Sequence, residues 1–187
     1  MADIWLMRHG AYEGHRPGHH APPDAALSDE GRDQIRRSLP LPDDVSGIIT
    51  SPILRGRQTA DLLSHLTGLP VIETSALLTE WRAPSVILGR TPDNYPAAYL
   101  VWREQRAADP SVSCLDGESL ADLHDRAGHC ADYLSATAAE QGGGIIAVSH
   151  KLLLGVLTRL ASGPRAFEVA AEAEWGFADR RQFDPTR

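Results

Sequence analysis

Two short apolar runs in this chain each end in a histidine, and the chemistry open to the sequence starts there. Ile4-Trp5-Leu6-Met7 leads into Arg8-His9-Gly10, and Ile145-Ile146-Ala147-Val148 leads into Ser149-His150. Runs of this length suit buried parallel strands, although periodicity alone does not separate them from buried helical segments. As strands, they deliver both imidazoles at carboxyl ends, where open α/β sheets bind their ligands. A neutral imidazole can act as a nucleophile, and Arg8 supplies a permanent forked cation for an oxyanion such as phosphate. Gly10 allows a sharp or close-packed backbone directly after the histidine. A plainer reading of His150 is a hydrogen-bonded histidine at a helix start.

Two further residues belong with these by type and position. Val45 to Thr50 reads as another strand and delivers Ser51-Pro52-Ile53-Leu54-Arg55. Pro52 suits the first position of a helix, Leu62, Leu63 and Leu66 give it an apolar stripe, and Gly68 closes it. Arg55 then falls in the first turn, where free backbone N–H groups favour an anion and a guanidinium can grip phosphate through two parallel hydrogen bonds. The alternative is a surface arginine, as Arg57 is expected to be. Glu80 lies between Leu77-Leu78 and Trp81, and an apolar setting favours the protonated form that a proton donor needs. The alternative is an ion pair with Arg82 or another arginine.

The elements that must position these groups follow from period and punctuation. Gly10 to Leu27 is dense in Gly, Pro and His and reads as a loop placed to cover the site. Its His15, His19 and His20 have no carboxylate or cysteine pattern around them that would make a metal site, so no metal is expected. Ser28 is an N-cap for a helix carrying Ile35 and Leu39 and stopped by Pro40 and Pro42. Val71-Ile72 is a third strand. Pro96 starts a helix through about Arg106, and Trp81, Tyr95, Tyr99 and Trp102 are either core or pocket lining. Leu120, Leu123, Ala127, Cys130 and Leu134 repeat at helical spacing, leaving His124 and His129 off the stripe and exposed, and Gly142-Gly143-Gly144 ends that helix. Leu152 to Leu160 is a buried helix. In the tail, an edge strand is expected within Glu172 to Phe177, with Arg180, Arg181 and Arg187 disordered.

Composition bounds the answer. The 187 residues are enough for one domain with a substantial core, and no repeat or linker divides them, so a single domain over 1–187 is expected. The net charge of −7 offers no general basic face for nucleic acid or an anionic membrane, so any anion must be held by local charge. There is no secretion-signal pattern and no apolar run long enough to span a bilayer. The two cysteines, Cys114 and Cys130, lack metal spacing, which fits a reduced cytoplasmic protein, and a disulfide between them is unsupported.

Taken in order, these stretches resemble the histidine phosphatase superfamily, the group that includes the cofactor-dependent phosphoglycerate mutases, and in particular a small phosphatase branch of it. Leu6-Met7-Arg8-His9-Gly10 resembles its opening motif, Leu27-Ser28-Asp29-Glu30-Gly31-Arg32-Asp33-Gln34 its first helix, and Ser51-Pro52-Ile53-Leu54-Arg55-Gly56-Arg57-Gln58-Thr59-Ala60 its second arginine segment. Leu78-Thr79-Glu80 resembles the turn bearing the proton donor, and Ser149-His150 stands in the place of the second histidine. The resemblance implies a three-layer α/β/α sandwich with a largely parallel central sheet. It implies hydrolysis of a small phosphomonoester, with His9 attacking phosphorus to give a phosphohistidine. Arg8, Arg55 and His150 would hold the equatorial oxygens, and Glu80 would protonate the leaving alkoxide and then deprotonate water. No metal or other cofactor is implied, because the two guanidiniums and His150 supply the charge. A slightly acidic optimum would follow if Glu80 must begin protonated.

The chain departs from the family pattern in several places. Ala11-Tyr12 follows the first glycine in place of a polar pair, His15 stands where an asparagine is usual, and Lys151 follows the second histidine in place of glycine. His15 and Lys151 are therefore candidate substrate-binding residues, Lys151 either meeting a second anionic group or lying in solvent. The turn Trp81-Arg82-Ala83-Pro84 is also altered, which leaves Glu118 as a rival proton donor. A phosphomutase and a phosphohistidine-protein phosphatase are the enzyme alternatives, the mutase disfavoured by the short stretch between Glu80 and His150. A phospholigand-binding protein with a vestigial site is the non-enzyme alternative. The expected partner is a small phosphorylated substrate, with neither nucleic acid nor membrane, and a homodimer is left open.

Overall fold

The structure, a computed structural model, describes residues 2–185. Its centre is a five-stranded sheet in the order β3-β2-β4-β1-β5. β1 (Ile4–Arg8), β2 (Val45–Thr50), β3 (Val71–Thr74) and β4 (Gly144–Ser149) run parallel, and β5 (Arg180–Phe183) lies antiparallel against β1. Six helices accompany them: α1 (Asp29–Arg37), α2 (Leu54–Thr67), α3 (Ala97–Gln105), α4 (Leu120–Gln141), α5 (Lys151–Leu157) and α6 (Ala166–Glu172). This is the three-layer, largely parallel sandwich expected from the sequence. No helix among the described residues is long and apolar enough to cross a membrane.

The continuous apolar character of β1 and β4 follows from burial on both faces. Leu6, Ile145 and Ala147 point into a core built with Leu123, Leu134, Leu153 and Phe167, on the side of α4, α5 and α6. Met7, Ile146 and Val148 point the other way, into a core with Leu27, Ile35, Ala60 and Leu63 from α1, α2 and the segment before α1. Successive side chains of a strand alternate faces, so one unbroken apolar run serves two cores. The register pairs Ile4 with Ile145 and Arg8 with Ser149. His9 and His150 therefore leave neighbouring strands at the same level.

Most element ends sit where their capping chemistry places them. Ser28 caps α1 by accepting from the Gly31 N–H at 3.1 Å, and Ser119 caps α4 by accepting from Asp122. Gly68 and Gly142 close α2 and α4 in the left-handed conformation that glycine adopts freely.

Several boundaries differ from expectation. Pro52 precedes α2, which starts at Leu54 after Ile53, because the Ser51 hydroxyl accepts the Ile53 N–H and holds the chain extended there; Arg55 still falls in the first turn. α1 stops at Arg37, β3 extends to Thr74, and α5 is shorter than the predicted Leu152–Leu160 helix. A tight turn over Leu160–Arg165 follows α5. The edge strand lies beyond the predicted Glu172–Phe177 segment, whose first residue ends α6. Arg180 and Arg181 are ordered in that strand, the Arg180 guanidinium bonding the carbonyls of Ser38 and Pro40. Arg187 lies outside the described residues. His129 is exposed, but His124 is partly buried and its Nε2 lies 3.0 Å from the Leu160 carbonyl. Cys114 and Cys130 are buried free thiols, not a disulfide.

The turn after His9 is fixed by backbone touching backbone. A Cβ on Gly31 would stand 2.0 Å from the Ala11 carbonyl oxygen, and one on Gly10 would stand 2.5 Å from that of Gly31. Neither main chain can yield without moving β1 or α1. Gly31→Ala is expected to lower stability by about 2–3 kcal/mol, read as a shift in the urea midpoint. Gly128→Ala is the control, since nothing lies within 4 Å of its added Cβ in α4. It should be neutral or stabilising, by up to about 1 kcal/mol.

Candidate active site

His9 directly follows β1 and is 3% exposed. Its Nδ1 lies 2.7 Å from the Gly10 carbonyl oxygen, which can only accept, so Nδ1 carries the proton and Nε2 the lone pair. The Arg55 Nε–H donates to that Nε2 at 3.2 Å. Burial, then the Arg55 charge, holds His9 well below the ordinary imidazole range, so the ring is neutral. Thr59, one turn after Arg55 on α2, accepts the Gly10 N–H at 3.2 Å and donates to the Arg55 carbonyl at 2.7 Å. One hydroxyl thus ties the start of α2 to the turn after β1.

The two arginines approach His9 from different elements. Arg55 is 4% exposed, gives Nη1 to the Pro22 carbonyl at 3.1 Å and lies 5.2 Å from the Tyr12 ring centroid. Arg8 stacks its guanidinium on Phe177 at 3.7 Å and gives Nη1 to the Trp175 carbonyl at 2.5 Å. Its Nε is buried without a partner among the described residues. Burial draws Arg8 down to about 10, which leaves it charged at neutral pH. The segment between α6 and β5 is bound to β1 by backbone as well, the Ala178 N–H reaching the carbonyls of both Arg8 and His9.

His150 begins α5 as its N-cap residue and is fully buried. Its ring centroid lies 4.9 Å from that of His9, and its Nε2 lies 2.8 Å from the Ser51 hydroxyl. Burial, then the charges around it, lowers it as it does His9. Nδ1 has no partner among the described residues. His150 stands beside His9 but behind the cavity wall, a deeper position than the sequence suggested.

Glu80 does not sit in the apolar setting expected for it. Its carboxylate accepts the backbone N–H groups of Trp81 at 2.9 Å, Leu152 at 3.1 Å and Leu153 at 3.0 Å, the last two from the first turn of α5. Three amides and the positive end of that helix meet one carboxylate. The rival Glu118 is 3% exposed, and both its oxygens bind the Arg126 guanidinium at 2.8 Å. Arg126 also donates to the carbonyls of Leu77 and Thr79, at 3.1 and 2.7 Å. Glu118 therefore builds the turn that presents Glu80, and Arg82 pairs with Glu118 rather than with Glu80.

A cavity of about 670 Å³ opens over Arg8, His9, Arg55 and Glu80. His15 and Lys151 line it as well. His15 Nδ1 lies 3.1 Å from the Tyr12 hydroxyl, and its ring stands edge-on to Phe177 with centroids 4.9 Å apart. Lys151 is half-buried and gives Nζ to the Ala171 carbonyl at 2.8 Å, so it is not simply solvated. Tyr12, Thr59, Trp175 and Phe177 complete the cluster. None was singled out from sequence; Thr59 stands inside a quoted motif, whereas Trp175 and Phe177 carry no local signal.

This assembly can be set against known proteins. The family model for the histidine phosphatase superfamily, branch 1, matches residues 4–170. No curated protein sequence is significantly similar to the chain. Among solved structures, mycobacterial glucosyl-3-phosphoglycerate phosphatase is 26% identical with a TM-score of 0.73, over 97% of this chain and 89% of that one. The product of open reading frame Rv3214 of Mycobacterium tuberculosis is also 26% identical, with a TM-score of 0.68 over 96% of this chain and 89% of that one. A variant of phosphoserine phosphatase from Entamoeba histolytica, solved with phosphoserine, shares the fold at 18% identity, with a TM-score of 0.71 over 98% of this chain and 91% of that one. The matched span holds Arg8, His9, Arg55, Glu80 and His150, and the chain belongs to the histidine phosphatase superfamily, branch 1.

Proposed function

We propose that this chain hydrolyses a small phosphomonoester through a covalent phosphohistidine on His9, without a metal ion. The observation that carries the reading is the state of His9: a neutral ring, Nδ1–H committed to Gly10, and the Nε2 lone pair beside a buried guanidinium. When a phosphate enters, Arg55 can exchange that lone pair for phosphate oxygens, freeing the nucleophile as the electrophile arrives. Nε2 attacks phosphorus and the ester P–O bond breaks. Glu80, whose carboxylate sits on three backbone N–H groups, relays to the leaving alkoxide the proton that a monoanionic phosphate ester brings into the site. Glu80 then takes a proton from water as the water oxygen attacks phosphorus, and the P–N bond returns its electrons to Nε2.

Charge governs the barrier in such a transfer. Arg8 and Arg55 bring two full positive charges to a buried site, and the unpartnered Nδ1 of His150 is a further ring atom available beside His9. Two guanidiniums supply the stabilisation that a divalent ion gives elsewhere. The phosphatase reading also draws on the phosphatases of like fold and on the cavity, which leaves room for a leaving group.

The direct test is trapping. With a labelled phosphomonoester and a chelator present, a quench that avoids acid should give acid-labile, base-stable label on the wild type and none on His9→Ala, with turnover down roughly 10⁴-fold or more. Neither label nor turnover across a broad set of phosphate esters would sink the proposal and favour a ligand-binding role.

The two glutamates should separate cleanly. Glu80→Gln is expected to lower kcat by roughly 10²–10⁴-fold on alkyl phosphates, with thermal stability largely kept. Glu118→Gln instead strips Arg126 of its buried partner and should cost about 3 kcal/mol of stability, seen in the denaturation midpoint. The reverse pattern would make Glu118 the proton donor.

Buried neutral imidazoles also set a pH dependence. His9, His150 and His20 all lie below 6.5 in the folded chain because burial disfavours their charged forms, and His20 lies near 4. Between about pH 6.5 and 4 the unfolded chain binds protons that the folded chain refuses. Their contribution should therefore be intact above pH 6.5 and should decline as pH falls through that window. Urea midpoints from pH 7.5 to 4.5 would show it, and a flat profile would contradict the assigned neutral states.

A further inference from the structure

The catalytic cluster accounts for only part of the cavity. A phosphoryl group fills a small fraction of about 670 Å³, a volume in the range of sites for drug-sized ligands. Much of the remaining lining is aromatic: Trp81, Tyr95, Tyr99 and Phe167, with His20 among them and Arg103 in the wall. Two features mark this as more than core showing through.

His20 comes from the loop after Gly10, and its ring stands 5.8 Å from Trp81, 5.9 Å from Tyr95 and 6.5 Å from Tyr99, centroid to centroid. Its backbone is fixed to Gly89 and Arg90, yet its ring nitrogens make no hydrogen bond with any described residue. A half-buried imidazole with one free donor and one free acceptor among ring faces is suited to the polar edge of a flat ligand.

Arg103 is the second. Arg82 is paired with Glu118 and Arg106 with Glu168, but Arg103 has no carboxylate partner among the described residues and lies 5.9 Å from the Tyr95 centroid. Arg103 is exposed at the rim of the cavity, and a guanidinium there without a carboxylate partner can stack on a ring system or meet its electron-rich edge.

Building on the phosphatase reading, we infer that the substrate carries a flat aromatic or heteroaromatic ring near its phosphate, received by His20, Tyr95, Tyr99 and Arg103. These residues would set specificity through binding, while His9 and Glu80 act on the phosphoryl group alike in every ester.

Aryl esters would confuse ring recognition with an easier leaving group, so the test compares benzyl phosphate with cyclohexylmethyl phosphate. Both release a primary alkoxide one carbon from a six-membered ring, and only one ring is flat. The wild type should favour benzyl phosphate by about tenfold or more in kcat/KM, chiefly through KM. Tyr95→Leu and His20→Leu should bring the ratio toward unity. Equal rates on the two esters, a preference for the cyclohexyl compound, or a ratio that survives both variants would overturn the inference and leave the phosphatase reading standing. Should neither ester be hydrolysed while other phosphomonoesters still label His9, the inference fails in the same way. Absence of label with every ester defeats the phosphatase reading itself. Calorimetric titration of the wild type with benzylphosphonate and cyclohexylmethylphosphonate gives the same comparison even if the variants do not fold.

Discussion

The structure turns on an unneutralised contact, the Arg55 guanidinium against the lone pair of a buried imidazole. Two arginines and two histidines share one desolvated cluster, and among the described residues Glu80 is the one acidic side chain lining the cavity with them. Such a concentration of cationic groups is costly unless the histidines stay neutral and something else absorbs the guanidinium N–H groups. The chain meets both conditions with uncharged partners. Carbonyls of Pro22 and Trp175 take one N–H each from Arg55 and Arg8, and the faces of Tyr12 and Phe177 lie beside the two guanidiniums. Neutral partners lower the cost without cancelling the charge, so both guanidiniums stay cationic beside His9.

Positioning rests in part on residues outside the cavity lining, Glu118, Arg126 and Thr59. The Glu118–Arg126 pair grips the carbonyls of the turn leading to Glu80, and Glu80 in turn grips the first amides of α5, directly after His150. A displacement of α4 would therefore be transmitted to the carboxylate and to the second histidine together. On the other side, Thr59 joins His9's turn to Arg55's helix. Long-range ties of this kind bring together groups contributed by four separate segments, with Arg55 at hydrogen-bond distance from His9.

Much of this was legible in the sequence, for reasons that differ by element. β1 and β4 stand out because strands buried on both faces must be apolar throughout, and α2 and α4 because their apolar stripes repeat at helical spacing and are closed by Gly68 and Gly142. Arg8, His9, Arg55 and His150 could be placed near one another because each ends or follows a strand or opens a helix, where position in the element fixes position in space. The stacking of Phe177 on Arg8 was not legible, since it joins residues at opposite ends of the chain through a loop with no period of its own. The apolar neighbours of Glu80 misled for a related reason: two of the three amides that bind it belong to α5, some seventy positions later in the chain. The aromatics between Trp81 and Trp102 proved to be both core and cavity wall, a distinction that spacing does not draw.

The place of β1 in the sheet also has a consequence for how the protein comes into being. β1 precedes both of its neighbours, β4 and β5, in the chain, so Ile4 must wait for Ile145 and Phe183. Contacts this distant in sequence are slow to form, because a long loop must close before they contribute anything. Until β5 has been synthesised, the segment bearing Trp175 and Phe177 cannot settle over Arg8, and the guanidinium lacks the surface that orients it. A nascent chain would thus present the His9 motif well before Arg8 is held against Phe177, and the cluster is completed only once β5 has paired with β1.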